Sequence, residues 1–300
     1  MAEPFPSLLL TGATGFVGGE LFRGLRDHVQ MRLLVRDPAG LDLPNVVQAD
    51  LSDRDSLAAA LEGMETAYYL VHSMEPGAAG GFASADRSAA ENFAAIASEC
   101  GLRRTIYLGG VVGEDGESEH LDSRREVEEI LAGASAELVI LRASMIVGAA
   151  SGSFRSLVQL VDRMPVLLLP SWRDRRSQPV AIEDVVAALI AAREVAPGTY
   201  EIAGPDEISF EQMTEVVAEI LGHRHRSLPM PFSNSRVEGA AASVVADADA
   251  ELLQPLMAGL HSNLVIADNA LSSVFGVEPT PFESAARAAI ADMDGVEVGG

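Results

Sequence analysis

Nine residues near the N-terminus, Thr11-Gly12-Ala13-Thr14-Gly15-Phe16-Val17-Gly18-Gly19, have the make-up of a phosphate cradle. They follow the apolar run Leu8-Leu9-Leu10 and open an apolar-periodic segment, which is the strand, turn and helix order a diphosphate site needs. In that order Gly12 turns the chain out of a buried strand. Gly15 lets main-chain N–H groups approach a pyrophosphate at the positive end of the next helix, and Gly18 lets helix and strand pack closely. Thr14, Phe16 and Val17 complete the cradle. The spacing is Gly-x-x-Gly-x-x-Gly, and without its flanking strand and helix it would read as a bare turn.

About twenty residues further on, where a NAD-specific site would end its second strand in a carboxylate, the chain has Arg36 followed by Asp37. A guanidinium can grip a 2′-phosphate with two hydrogen bonds and stack on adenine, so Arg36 favours NADP(H) over NAD(H). Asp37 keeps NAD(H) open, because it could take the ribose role or pair with Arg36. Asp50, beside Leu51 at the end of the third strand, is an acceptor for the adenine amino group or a carboxylate that caps its own loop.

The elements that would hold these residues alternate. Strand-like runs at 31–35, 46–49, 67–71, 105–108 and 138–141 are separated by helix-like runs, among them 56–61 with Ser52 or Asp53 as N-cap, 84–99 and about 123–131. That alternation predicts an α/β chain with a doubly wound parallel sheet. The segment Glu75-Pro76-Gly77-Ala78-Ala79-Gly80-Gly81 reads as a lid-like loop. Beyond residue 150 the pattern loosens: 153–163 reads as helix, 166–169 and 180–182 as extended. Then come an acidic helix start at Ile182-Glu183-Asp184, a further strand at 199–202, and a helix from Ser209 to about Leu221. The expected division is a dinucleotide-binding domain over 1–150, with 178–204 returning to it, and a smaller, mostly helical substrate-side lobe over 151–300.

Composition narrows the partners. The formal net charge of −23 opposes nucleic acid and anionic membrane surfaces. All 21 basic residues are arginine, so lysine chemistry is excluded. No run reaches the length of a membrane span and no secretory leader is legible, which leads us to expect a cytoplasmic protein. The single Cys100 excludes an internal disulfide and reads as a small core residue in an Ala-rich helix. Trp172-Arg173-Asp174-Arg175-Arg176 is the one dense basic patch. Arg175 or Arg176 could hold an anionic substrate group and Trp172 an apolar one, with ion pairs to nearby carboxylates as the plainer reading. His223 and His225, two apart in a basic run, do not make a metal site. Met230, Pro231 and Phe232 could wall a pocket or pack a core.

The chain resembles the short-chain dehydrogenase/reductase superfamily in its atypical NmrA-like branch. The resemblance rests on the glycine segment and on Tyr69-Leu70-Val71-His72-Ser73-Met74, His120-Leu121-Asp122-Ser123-Arg124 and Leu141-Arg142-Ala143-Ser144-Met145-Ile146-Val147-Gly148. Pro179 to Val185 and Ala203-Gly204-Pro205 extend it to about residue 222, and Gly259-Leu260-His261 looks similar more loosely. It implies a seven-stranded parallel sheet, and a cofactor lined by Val71, His72 and Ser73 and by Ala143, Ser144, Met145 and Ile146. Active relatives use a Tyr, a Lys four residues later and a Ser near the end of the fifth strand. Here the matching positions hold His120 and Arg124, and the strand end reads Gly109-Gly110. Arg124 can anchor the nicotinamide ribose, and His120 can act as general acid without tuning, its ordinary pKa being about 6.5. The plainer alternative makes His120 an exposed loop residue and Arg124 a surface ion pair. Three functions follow from the resemblance: an NAD(P)H-dependent oxidoreductase on a small organic substrate, a non-catalytic dinucleotide sensor or scaffold, and, more remotely, sugar-nucleotide epimerisation. Neither the substrate nor the oligomeric state is written in the sequence.

Overall fold

The computed structural model describes residues 8–71, 82–111, 119–163, 166–169, 171–223, 226–229 and 263–297; for 82–83, 119–122, 166–169, 171–172, 226–229 and 294–297 only the backbone is described. The first half runs β1 (Leu8–Thr11), α1 (Phe16–Leu25), β2 (Met31–Val35), β3 (Val46–Gln48), α2 (Arg54–Leu61), β4 (Thr66–Tyr69), α3 (Phe82–Glu99), β5 (Arg104–Gly110), α4 (Glu119–Leu131) and β6 (Glu137–Ala143). With β11 (Gly198–Ile202) these strands form one sheet in the order β11-β6-β5-β4-β1-β2-β3, and every pairing is parallel.

Parallel strands covered on both faces need apolar residues at every position, and β1 and β4 are buried throughout. Alternate residues serve opposite layers. Leu8, Leu10, Leu33, Val35, Ile106 and Leu108 pack with Leu21, Leu25, Val185 and Leu189 on one face. Leu9, Leu34, Ala67, Tyr69 and Tyr107 pack with Leu57, Phe93, Val127 and Leu131 on the other. The strand order reverses direction between β1 and β4, and at such a switch point the carboxyl ends of the strands part to leave a crevice.

The second half adds β7 (Ile146–Val147), α5 (Gly152–Arg163), β8 (Val166–Leu169), a 3-10 turn at Ser171–Asp174, β9 (Arg176–Ser177), β10 (Val180–Ala181) and α6 (Ile182–Ala191). After β11 come β12 (Ile208–Ser209), α7 (Phe210–Ile220), β13 (Arg226–Pro229), α8 (Ala270–Ser273) and α9 (Phe282–Glu297). The pairs β7 with β10 and β8 with β13 are parallel, and β9 with β12 is antiparallel. A separate core joins Phe154 and Leu157 of α5, Phe210, Met213 and Val217 of α7, and Phe282 and Ala286 of α9.

The local signals act as read. Asp53 caps α2 through Asp55 N–H, and Ser209 with Gln212 forms a full capping box on α7. Ile182 begins α6, at the expected acidic helix start, and two readings change. The α4 helix starts at Glu119, ahead of the expected 123. Cys100 is exposed, because α3 ends at Glu99 and the chain turns at Gly101 with a positive φ of 71°, carrying the thiol out of the helix's buried stripe. The lid-like loop 75–81, Met230 to Phe232, and Gly259 to His261 lie outside the described residues. Among the described residues, no helix is long and apolar enough to cross a membrane.

Candidate functional site

The glycine segment forms the floor of the crevice. Gly12 has φ 73°, and a Cβ there would lie 2.5 Å from the Leu70 carbonyl oxygen, so a side chain would collide with the end of β4. The close approach that Gly18 permits is to the Gly12 carbonyl and Ala13 N, so the helix packs on the turn as it leaves β1. Thr11 fixes the two strand ends that flank the crevice: its hydroxyl donates to Tyr68 O and accepts from Leu70 N, both at 3.0 Å. Sequence reasoning did not single out this role, since nothing local marks Thr11 as spanning to residue 70.

Gly15 is the N-cap of α1, with its N–H donating to Gly12 O at 2.9 Å, and no side chain caps the helix. The first turn carries no acidic residue. Thr14 and Gly15 are exposed, and Phe16 and Val17 are half-buried. Among the described residues, the α1 N-terminus therefore keeps the N–H groups of its first turn and the positive end of its dipole without a side-chain cap or an acidic residue in that turn, as a diphosphate site requires. Phe16 lies where a side chain on Gly148 would project, 2.7 Å from that Cβ position, so the helix start is braced against the residue after β7.

Where the adenosine half of a dinucleotide is expected, Arg36 and Asp37 are exposed just past β2. Asp37 accepts from Ala39 N–H at 3.0 Å, which ties its carboxylate to its own loop. Asp50 accepts from Ser52 N–H (2.8 Å) and Ser52 Oγ (2.7 Å). These bonds, the backbone one foremost, hold its carboxyl below the usual carboxylate range, with the Arg36 charge adding to them. Both bonds use Oδ1, so the carboxylate caps its own loop through one oxygen, and Leu51 next to it is buried.

The opposite end is built by the carboxyl ends of β4, β5 and β6. Val71 is half-buried; His72 and Ser73 lie outside the described residues. Ala143 and Ser144 are buried and Met145 and Ile146 half-buried, with Ser144 N–H donating to Ile202 O and the Ser144 and Ser177 hydroxyls 3.1 Å apart. His120 falls on the first turn of α4, but its side chain is not described. Arg124, on the next turn, has a buried Nε with no hydrogen-bond partner among the described residues. Burial pushes its guanidinium below the usual arginine range, opposed by Tyr107, Asp86 and Glu128. Among the described residues no ion pair involves Arg124. Of the tyrosines, Tyr68, Tyr69 and Tyr107 are buried, and burial pushes all three phenols well above their ordinary range. Phenols so shifted are poor proton donors.

The basic patch is largely paired. Arg176 reaches Glu207 at 3.3 Å, and Arg173 lies 3.7 Å from Asp174 and 3.9 Å from Glu211. Arg175 precedes β9 and Trp172 sits in the 3-10 turn, its side chain not described. His223 faces Asp162 at 3.4 Å, and His225 lies outside the described residues.

Residues 12–147 match the family described as NAD(P)H-binding. Among characterised proteins the chain is similar to the ceramide reductase of Caulobacter vibrioides, 28% identical over 240 residues, covering 77% of this chain and 75% of that protein. It is also similar to the mitochondrial NADH dehydrogenase [ubiquinone] 1 alpha subcomplex subunit 9 of Arabidopsis thaliana, 26% identical over 251 residues, which make up 76% of this chain and 61% of that one. Among solved structures, an NADPH-dependent quinone oxidoreductase of Escherichia coli complexed with NADPH superimposes with a TM-score of 0.73 at 20% identity, covering 95% of this chain and 99% of the other.

Proposed function

We propose, from the match of residues 12–147 to the NAD(P)H-binding family, that the chain is an NADP(H)-dependent reductase of a small organic substrate, of the atypical short-chain dehydrogenase/reductase type, that works without a tyrosine–lysine pair. The observation that carries the reading is the uncapped, acid-free N-terminus of α1 inside the glycine turn at the sheet's switch point. The NADP(H) preference is supported by Asp37, whose carboxylate is engaged by Ala39 N–H, while Arg36 stands exposed beside it.

When bound, the cofactor supplies or accepts the hydride. The protein's part is positioning. Main-chain N–H groups at 16–18 hold the diphosphate, Arg36 the 2′-phosphate, Val71 to Ser73 and Ala143 to Ile146 flank the cofactor, and Arg124 donates to the nicotinamide ribose. His120 supplies the proton, histidine being the side chain suited to proton transfer near neutral pH. In this proposal Trp172 and Arg175 face the substrate, Arg176 being tied to Glu207, and residues 151–300, apart from 178–204, form the substrate-side lobe. A second reading, a non-catalytic dinucleotide-holding subunit, is favoured by the buried, weakly acidic tyrosines and by the similarity to a respiratory-complex subunit.

The test is NADPH oxidation at 340 nm across carbonyl, imine and quinone substrates, with NADPH and NADH affinities measured by calorimetry. Turnover lost in His120→Ala with NADPH affinity kept supports the reductase, whereas tight binding with no turnover on any substrate supports the second reading. Arg36→Ala should weaken NADPH about tenfold, the worth of one charge-assisted bond of about 1.4 kcal/mol, and leave NADH within twofold. Unchanged affinity for both would overturn the NADP(H) preference.

A further inference from the structure

The loop between β3 and α2 closes mostly on itself. Asp50 Oδ1 accepts from Ser52 N–H at 2.8 Å and from Ser52 Oγ at 2.7 Å, Asp50 O accepts from Asp53 N–H at 2.9 Å, and Asp50 N–H donates to Ser56 Oγ at 3.2 Å. Among the described residues, no hydrogen bond uses Asp50 Oδ2. One bond reaches the loop from another element. Asn92 of α3, 41 residues further along the chain, donates its Nδ2 to the Leu51 carbonyl at 3.0 Å. The neighbouring Phe93 lies in the same buried cluster as the Leu51 side chain, so residues 92 and 93 hold Leu51 by its carbonyl and by its side chain.

The Leu51 carbonyl and the Ser52 N–H belong to one peptide group, which is planar and stiff. Asn92 holds one end of that plane and the Asp50 carboxylate accepts from the other, so a turn of the peptide would swing the carboxylate with it. The two bonds also polarise one another through the peptide they share. A part-buried loop carbonyl can be satisfied by water as well as by a side chain. What the Asn92 amide adds is direction. We infer that Asn92 is a positioning residue for the adenine base: through the Leu51–Ser52 peptide it aims the Asp50 carboxylate so that Oδ2 accepts from the exocyclic amino group. Asn92 acts through Asp50 and touches no reacting atom.

This inference rests on the cofactor reading above, so its test varies only the base. Calorimetry is run on the full chain with NADPH and with its deamino form, in which hypoxanthine replaces adenine and a carbonyl oxygen stands where the amino group was, alongside thermal melts. The unmodified protein should bind NADPH about tenfold more tightly than the deamino form, the effect of one charge-assisted bond. In Asn92→Ala that preference should shrink to about twofold or less, with NADPH weakened and the deamino form little changed. Asn92→Asp, which keeps the volume and loses the donor, should show the same signature and keeps the test alive if Asn92→Ala fails to fold. Asp50→Asn offers an amide N–H in place of Oδ2 and should turn the preference toward the deamino form. If the Asn92 variants keep the full preference, or weaken both dinucleotides equally as the melting temperature falls, Asn92 is structural and the inference is overturned while the cofactor reading stands. If the unmodified protein binds both dinucleotides equally, the base is not read at Asp50 and the inference falls. If it binds neither, the cofactor reading itself falls and takes the inference with it.

Discussion

At the scale of single residues, the cradle makes opposite demands on two adjacent glycines. A methyl group on Gly18 would overlap the Gly12 carbonyl and press on Ala13 N, both rigid backbone. Gly18→Ala must therefore push α1 off its turn, and we expect a loss of about 3 kcal/mol or more in denaturant unfolding, with NADPH binding abolished. Gly19 sits in the same helix, where an added Cβ would find Ala13 O at 3.5 Å, an ordinary contact. Gly19→Ala should stabilise the chain by roughly 0.5–1 kcal/mol through helix propensity and leave NADPH affinity unchanged. A Gly18→Ala variant that folds and binds as well as Gly19→Ala would contradict the geometry assigned to the cradle.

At the scale of elements, the second half is tied to the sheet by buried side chains whose partners are far away in sequence. Asp184, read from sequence as an acidic residue suited to the α6 dipole, is buried and accepts from Thr280 N–H at 2.7 Å and Thr280 Oγ1 at 2.9 Å. Asp206 likewise accepts from Phe282 N–H at 2.7 Å, at the start of α9. Asp184→Ala should cost about 1–3 kcal/mol and speed proteolysis near residues 276–282 while leaving the affinity for adenosine 2′,5′-bisphosphate intact, because the segment lies away from the adenosine end. Equal melting temperatures for Asp184→Ala and the unmodified chain would remove that anchoring role. The same residue shows where sequence reasoning stops. Leu8 to Leu10, the Asp53 and Ser209 caps and the glycine turn were legible because their signals are local: apolar runs, capping side chains, spacing. The tie from residue 184 to 280, the Asn92 amide on the Leu51 carbonyl, and the hydroxyl of Thr11 bridging to Leu70 are set by tertiary approach, which no local period encodes. The placing of Cys100 failed for a related reason, since apolar periodicity does not say where a helix stops: α3 ends at Glu99 and Cys100 is exposed just past it.

For the whole molecule, the formal charge of −23 at pH 7 sets a field that opposes both the compact state and the ligand it is built to hold. In the proposed function the glycine cradle answers locally, with helix N–H groups and Arg36 acting over a few ångströms. The acidic surface acts over the Debye length, which falls from about 30 Å at 0.01 M salt to about 10 Å at 0.1 M. Ion pairs on the surface among the described residues, such as Arg54 with Glu99 and Arg287 with Glu283, are too exposed to reverse this balance. Screening should therefore strengthen the fold. Raising sodium chloride from 0.01 to 0.3 M at pH 7 should raise the melting temperature by roughly 2 °C or more, about 1 kcal/mol for a chain of this size. A melting temperature that falls with salt would mean that attractive pairs dominate, and the acidic surface would then have to be read as a set of compensated networks instead of a repelling shell.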